Sequence, residues 1–281
     1  MLQIHFVVSW LMMKPASDTT VSARTGVSLC MLGTLLMTAS PVRAFGPMGH
    51  EIIGEIAMPL LCRQATEAVI SISGEPTLAS AGLWADRIRD EPLWDHALHW
   101  HFLDVADGES IDRRRVAPGG DLLSALKRFH GLLLGQKARP VERREALLFL
   151  IHLVADLHQP LHVGRPGDSG GNKIELVYRR SKTNLHRLWD SDLLSGSRVS
   201  AADYAWALRP IAVLYATASP AGDFSGWAEE SRALRQFVYA FPDSRRVSRR
   251  YALMARAILD RRIAQAGVRL AGLLNAIYCE S

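Results

Sequence analysis

A histidine and an aspartate stand four residues apart inside one apolar run, FLIHLVADL, residues 149–157. At helical pitch His152 and Asp156 share a face. A buried carboxylate beside a buried imidazole is costly unless it is paired or bound to a metal. This run can therefore be a core helix only if something compensates its polar pair. Gln159-Pro160-Leu161 ends the helix and turns the chain, and His162 follows at once. The same interval recurs in NLHRLWD, where His186 and Asp190 are four apart. Upstream, Asp86 lies in LWADRI and His101 in HWHFLDV. A lone pair of this kind is more often a hydrogen-bonded core pair than a ligand set. Two pairs, with His162, Asp86 and His101 besides, shift the balance toward metal ligation by imidazole nitrogen and carboxylate oxygen.

The rest of the chain reads as helix around that run. Apolar residues recur at helical period over 50–61, 121–134 and 143–157, and from Val247 to Ile277. Asp121 stands where an N-cap belongs. Lys173–Tyr178 alternates after Gly170-Gly171 and predicts one arm of a small hairpin. Trp84, Trp100 and Trp189 are expected to pack around the ligand candidates, and His96, His99, His130 and His158 to be solvent or core histidines. The fold class expected is all-α, one mainly helical domain with a small β-hairpin. With 48% hydrophobic and 22% charged residues among 281, the chain is neither disordered nor a disulfide-dense mini-protein. A net charge of +5 without a basic block argues against a purely electrostatic nucleic-acid-binding module.

The first 44 residues predict export. An apolar, uncharged stretch over 27–38 follows Arg24, and Pro41-Val42-Arg43-Ala44 ends in a small-residue cleavage pattern. The stretch is short for a membrane span, which needs about 20 residues, and an uncleaved N-terminal anchor is the alternative to a signal peptide. Residues 1–44 are thus assigned to a signal peptide with an upstream extension, and 45–281 to the functional domain. The product is expected to be secreted or periplasmic, without stable membrane association after cleavage. Cys62 and Cys279 would remain, and an exported chain can pair them. The sequence does not say whether their Cα atoms approach closely enough.

Taken together, FGPMGH from Phe45, WAD at 84–86, HFLD at 101–104, HLVADLHQPLH at 152–162, GGNK at 170–173 and NLHRLWD at 184–190 are a specific set. In them the chain resembles the zinc-dependent S1/P1 nuclease family, whose helical fold is shared with bacterial zinc phospholipase C. The resemblance implies three zinc ions. One would take Asp86, His101 and His152, with Asp156 bridging to a second. The second would take His50, Asp156 and the free amine and carbonyl of the first mature residue, Phe45. The third would take His162, His186 and Asp190. It also implies that Phe102, Asp104 and Asn172 bind the nucleobase and that Arg89 contacts phosphate. The family usually begins with Trp where this chain has Phe45, but the ligand atoms there are backbone.

The activity so implied is hydrolysis of single-stranded RNA or DNA to 5′-nucleotides, with 3′-nucleotidase activity on the same metals. Asp86 would orient or deprotonate the attacking water. Nucleic acid and nucleotides would be the partners, and no protein partner is inferred. A zinc phospholipase C is the nearest alternative; the Asp at 190 and the interval from His162 to His186 favour the nuclease. A zinc-stabilised secreted binding protein without turnover is the alternative of another class.

Overall fold

The computed structural model describes residues 45–116, 118–135, 137–196, 199–215 and 221–279. The expected export segment, 1–44, lies outside the described residues. The chain is mainly helical, as its periodicity predicts. Helices α1 (Pro47–Ala57), α2 (Arg63–Ser73), α3 (Leu78–Gly82) and α4 (Trp84–Ile88) come first. A 3-10 stretch, Pro92–His101, precedes α5 (Leu122–Leu134) and α6 (Pro140–His158). Then follow α7 (Leu185–Arg187), α8 (Ala201–Val213), α9 (Phe224–Ala233), α10 (Arg235–Val238) and the long α11 (Arg249–Tyr278).

Helix α6 is the centre of the domain. It is buried continuously from Ala146 to His158, as a helix apolar on all sides must be. Helices α5, α11, α2 and α3 pack against it. Pro160 follows α6 by two residues, and Gln159 before it is extended at φ −85°, ψ 118°, the region that a following proline favours.

The helix starts follow local rules. Pro47 at the first positions of α1 begins that helix three residues ahead of the sequence expectation. The cap predicted at Asp121 is present: its carboxylate accepts the Ser124 N–H at 2.9 Å, and the Ser124 hydroxyl accepts the Asp121 N–H at 2.6 Å. Arg114 clamps the same carboxylate, with nitrogens 2.8 and 2.7 Å from its two oxygens.

Helix α1 reaches its neighbours through glycine. A Cβ on Gly54 would lie 2.4 Å from the Ala79 nitrogen of α3, and one on Gly267 of α11 would lie 2.5 Å from Ile56. This close approach carries His50 of α1 onto His152 of α6, with rings stacked at 4.0 Å. Cys62, which caps α2, pairs with Cys279 at the end of α11. The disulfide left open by the sequence is thus formed across a separation of 217 residues.

Strands are few. β1 (Leu103–Asp104) lies parallel to β2 (Val163–Gly164), pairing Leu103 with Val163 and Asp104 with Gly164. The expected hairpin is β3 (Glu175–Tyr178) against β4 (Ser181–Asn184). Its turn residues, Arg179 and Arg180, both have positive φ, 48° and 69°. No helix among the described residues is long and apolar enough to cross a membrane.

Candidate metal centre

The site is assembled on the ends of elements. α6 supplies His152 and Asp156 one turn apart, α1 supplies His50, and α4 supplies Asp86. His101 ends the 3-10 stretch before β1, and His162 ends the turn before β2. The parallel pairing of β1 with β2 therefore fixes these two histidines side by side. α7 brings His186, and the π-helical turn after it brings Asp190. His50, His101, His152, Asp156, His162, His186 and Asp190 are all buried.

Around Asp156 the distances are short. Oδ2 lies 3.0 Å from His101 Nδ1 and 3.3 Å from His152 Nε2, while Oδ1 lies 3.4 Å from His50 Nε2. His162 Nδ1 is 4.0 Å from Oδ2. In the second group, His186 Nε2 is 2.8 Å from Asp190 Oδ2, and His162 Nε2 is 3.9 Å from Asp190 Oδ1. Three sets have ligand atoms all within 4.8 Å of one another: His50, Asp86 and His152; His101, His152 and Asp156; His162, His186 and Asp190. The last is the set the resemblance implies. In the other two His152 is the common member, and Asp156 also touches both, with Oδ2 at His101 and Oδ1 at His50.

Tautomers show what the site is built for. His152, His162 and His186 each donate Nδ1–H to a backbone carbonyl: Gly82 at 2.7 Å, His101 at 2.5 Å and Gly170 at 2.8 Å. A neutral imidazole so engaged presents its Nε2 lone pair inward. Metal-binding histidines are held in this way. Among the buried side-chain atoms without a hydrogen-bond partner are His50 Nδ1 and Nε2, both carboxylate oxygens of Asp86, Asp156 Oδ1 and His162 Nε2. Buried polar atoms are rarely left so, and here they converge on the two groups. The residues therefore fit cations, and a set of imidazole nitrogens and carboxylate oxygens takes zinc and other divalent ions.

The titration behaviour agrees for His50, His101 and His162, whereas His152, without a cation, holds a proton against Asp156. Burial lowers His50 and His101 and pushes His162 down to about 3, which keeps their lone pairs free. Burial opposes charge on His152 too, but the Asp156 carboxylate overrides it and raises His152 to about 9. Burial would raise Asp156, yet the charge on His152 and hydrogen bonds to the imidazoles hold it well below the carboxylate range. Burial pushes Asp190 up to about 6. A cation entering either group would relieve the desolvation of all these atoms.

The remaining sequence candidates sit around this core. Phe45 is fully buried, and the next residue, Gly46, donates its N–H to the Asp190 carbonyl at 2.9 Å. Arg89 is buried, with Nη1 3.8 Å from Asp86 Oδ1 and both Nε and Nη1 without hydrogen-bond partners. Phe102 is half-buried and Asp104 exposed, directly after His101. Asn172 donates its amide to the Ser169 carbonyl at 2.8 Å. Trp84, Trp100 and Trp189 are buried packing residues, as expected. His158 is a core histidine, donating Nδ1–H to Val154 and accepting from Arg269. Sequence reasoning passed over Gln159, whose amide reaches Asp190; its only signal was its place between Asp156 and His162.

A mainly helical domain with adjoining groups of inward-facing imidazoles and carboxylates, able to hold metal ions, is the class that fold and site define. Within it the chain belongs to the S1/P1 nuclease family: a family model described as S1/P1 Nuclease matches residues 45–279. Endonuclease 2 of Arabidopsis thaliana is 35% identical over 174 residues, 57% of this chain and 59% of the relative. Endonuclease 3 of the same plant is 29% identical over 262 residues, 83% of this chain and 89% of the relative. Nuclease S1 of Aspergillus oryzae is 29% identical over 167 residues, 56% of this chain and 57% of the relative. The matched region thus spans less than two thirds of the first and last of these relatives.

Proposed function

We propose that the protein is an exported zinc-dependent phosphodiesterase that hydrolyses single-stranded RNA or DNA to 5′-nucleotides and removes 3′-phosphate from nucleotides. The observation that carries this reading is the junction at His101. That residue is a member of a buried group that could hold a cation, and Phe102 and Asp104, one and three positions on, offer an aromatic face and a carboxylate. A base stacked on Phe102 and hydrogen-bonded by Asp104 would lay its phosphate beside the cation groups. Stacking demands an unpaired base, so single strands would be preferred.

Asp86, His101, His152 and Asp156, with His50 and the backbone of Phe45, would hold two ions, and His162, His186 and Asp190 a third. When bound, zinc lowers the pKa of a coordinated water toward about 7 and offsets charge building on the phosphate. Asp86, neither of whose oxygens has a hydrogen-bond partner, would take the proton of the attacking water through one of them, with Arg89 Nη1 3.8 Å from Oδ1. The Arg89 guanidinium, short of two hydrogen-bond acceptors, would hold a phosphate oxygen. As the water oxygen joins phosphorus, the bond to the 3′-oxygen would break, and the proton taken by Asp86 would pass through solvent to that oxygen, restoring the carboxylate. The chain itself supplies no covalent nucleophile in this scheme.

Ligation by the Phe45 amine requires cleavage after Ala44, so export and completion of the site would be coupled. The disulfide fits an oxidising compartment. The test compares single-stranded RNA and DNA, duplex DNA and phosphatidylcholine as substrates for the mature protein, with D156N beside it. The expected result is rapid cleavage of single strands only and a loss of at least about 100-fold in D156N. Hydrolysis of phosphatidylcholine alone, or full turnover by D156N at normal zinc content, would refute it.

A further inference from the structure

Gln159 is completely buried and contacts Asp156, His162 and Asp190, with its side-chain oxygen and nitrogen both engaged. The Leu161 N–H donates to its side-chain oxygen at 2.6 Å. A backbone N–H can be received only by oxygen, which fixes the orientation of the amide. Its NH2 therefore faces Asp190 and donates to Oδ1 at 2.5 Å. The backbone is tied as well: Gln159 N–H donates to the Asp156 carbonyl and the Gln159 carbonyl accepts the His162 N–H, each at 3.0 Å. One residue thus spaces Asp156, His162 and Asp190.

We propose that Gln159 is the positioning residue that aims Asp190 at a cation held with His162 and His186, an inference that rests on reading this trio as a cation site. An aspartate carboxylate rotates easily about its last torsion. Holding Oδ1 leaves Oδ2 directed at His186 Nε2, 2.8 Å away. The donor is neutral, so it orients the carboxylate without protonating it or cancelling the charge that attracts a cation. The Asp156 group has no such link from Gln159 through a side chain; its contact is through the backbone carbonyl alone. Loss of the amide should therefore affect the trio selectively.

The test is zinc binding by the full mature protein, measured as metal content after dialysis and as affinity by competition with a chromophoric chelator. Q159M keeps the side-chain volume and removes the donor; Q159E keeps an oxygen for the Leu161 N–H while setting a second oxygen against Asp190. H186A marks the trio's ion. Both Gln159 variants are expected to bind that ion about 10–100-fold more weakly, to retain the other ions, and to melt near the wild type when all three proteins are metal-free. Unchanged zinc affinity overturns the inference. Loss of every ion together with a lower metal-free melting temperature also overturns it, since that is a merely structural role. If H186A costs no ion, the trio is not a cation site and the inference falls with that reading. If H186A costs one ion and the Gln159 variants cost none, the inference alone falls.

Discussion

His186 Nε2 lies 2.8 Å from Asp190 Oδ2, and His186 Nδ1 is already engaged with the Gly170 carbonyl at 2.8 Å. With Nδ1 carrying the hydrogen, Nε2 and Oδ2 are two acceptors face to face. Such a contact is stable only with a positive charge between them, a proton or a metal ion.

Metal removal should therefore unfold the protein at lower temperature. Each ion at 1,000 times its Kd contributes about 4 kcal/mol, which for a domain of this size is about 8 °C or more. Chelation by EDTA is expected to lower the Tm by more than about 10 °C, and added zinc to restore it. A melting temperature indifferent to chelator would mean that the groups hold no ion.

Glycine at the α1 contacts is required by space, whereas Gly272 is not. A Cβ at Gly54 meets the Ala79 backbone at 2.4 Å, and one at Gly272 meets nothing within 4 Å. G54A is expected to lose about 1–3 kcal/mol. G272A should gain about 0.5–1 kcal/mol from helix propensity. Urea unfolding of both variants checks the opposite signs.

The Glu230 carboxylate accepts from Arg262 and from both terminal nitrogens of Arg269, each at 2.7 Å. Burial alone would raise its pKa, but the two guanidinium groups outweigh that and lower it from 4.5. A folded value below the unfolded one contributes stability that is present above about pH 4.5 and lost as the pH falls through the folded value. E230Q should cost about 1–3 kcal/mol at pH 7, less than a fully buried pair because Glu230 is 41% exposed. It should also flatten the acid limb of a stability–pH curve below pH 4.5. An acid limb as steep as the wild type's would exclude Glu230 as its source.

The Cys62–Cys279 bridge closes a loop of 217 residues and ties α2 to the end of α11. Replacing both cysteines by serine is expected to lower stability by about 2–5 kcal/mol. The wild type should show the same loss in reductant, while the variant stays indifferent to it. Equal melting temperatures with and without reductant would count against the bond.

Much of this was legible in the chain because it is local. The i, i+4 spacing of His152 with Asp156 and of His186 with Asp190 is a property of helical pitch, and both pairs face inward as the spacing requires. Asp121 capped α5, and the alternation before Tyr178 marked β3. The hairpin turn itself was not legible: Arg179 and Arg180 occupy positive φ without the glycine or asparagine that signals such a turn.

What the sequence by itself determined was the inventory: helices with their polar ligand candidates on known faces, and motifs specific enough to name the family. Tertiary structure alone decided which candidates meet. His50 of α1 and Asp86 of α4 meet His152 of α6 across helix packing, with glycine at the close contacts of α1 with α3 and α11. The carbonyls of Gly82, His101 and Gly170 select the inward-facing nitrogens. Every residue carries a carbonyl, so no side-chain pattern marks which one a distant imidazole will find; that choice is made by packing.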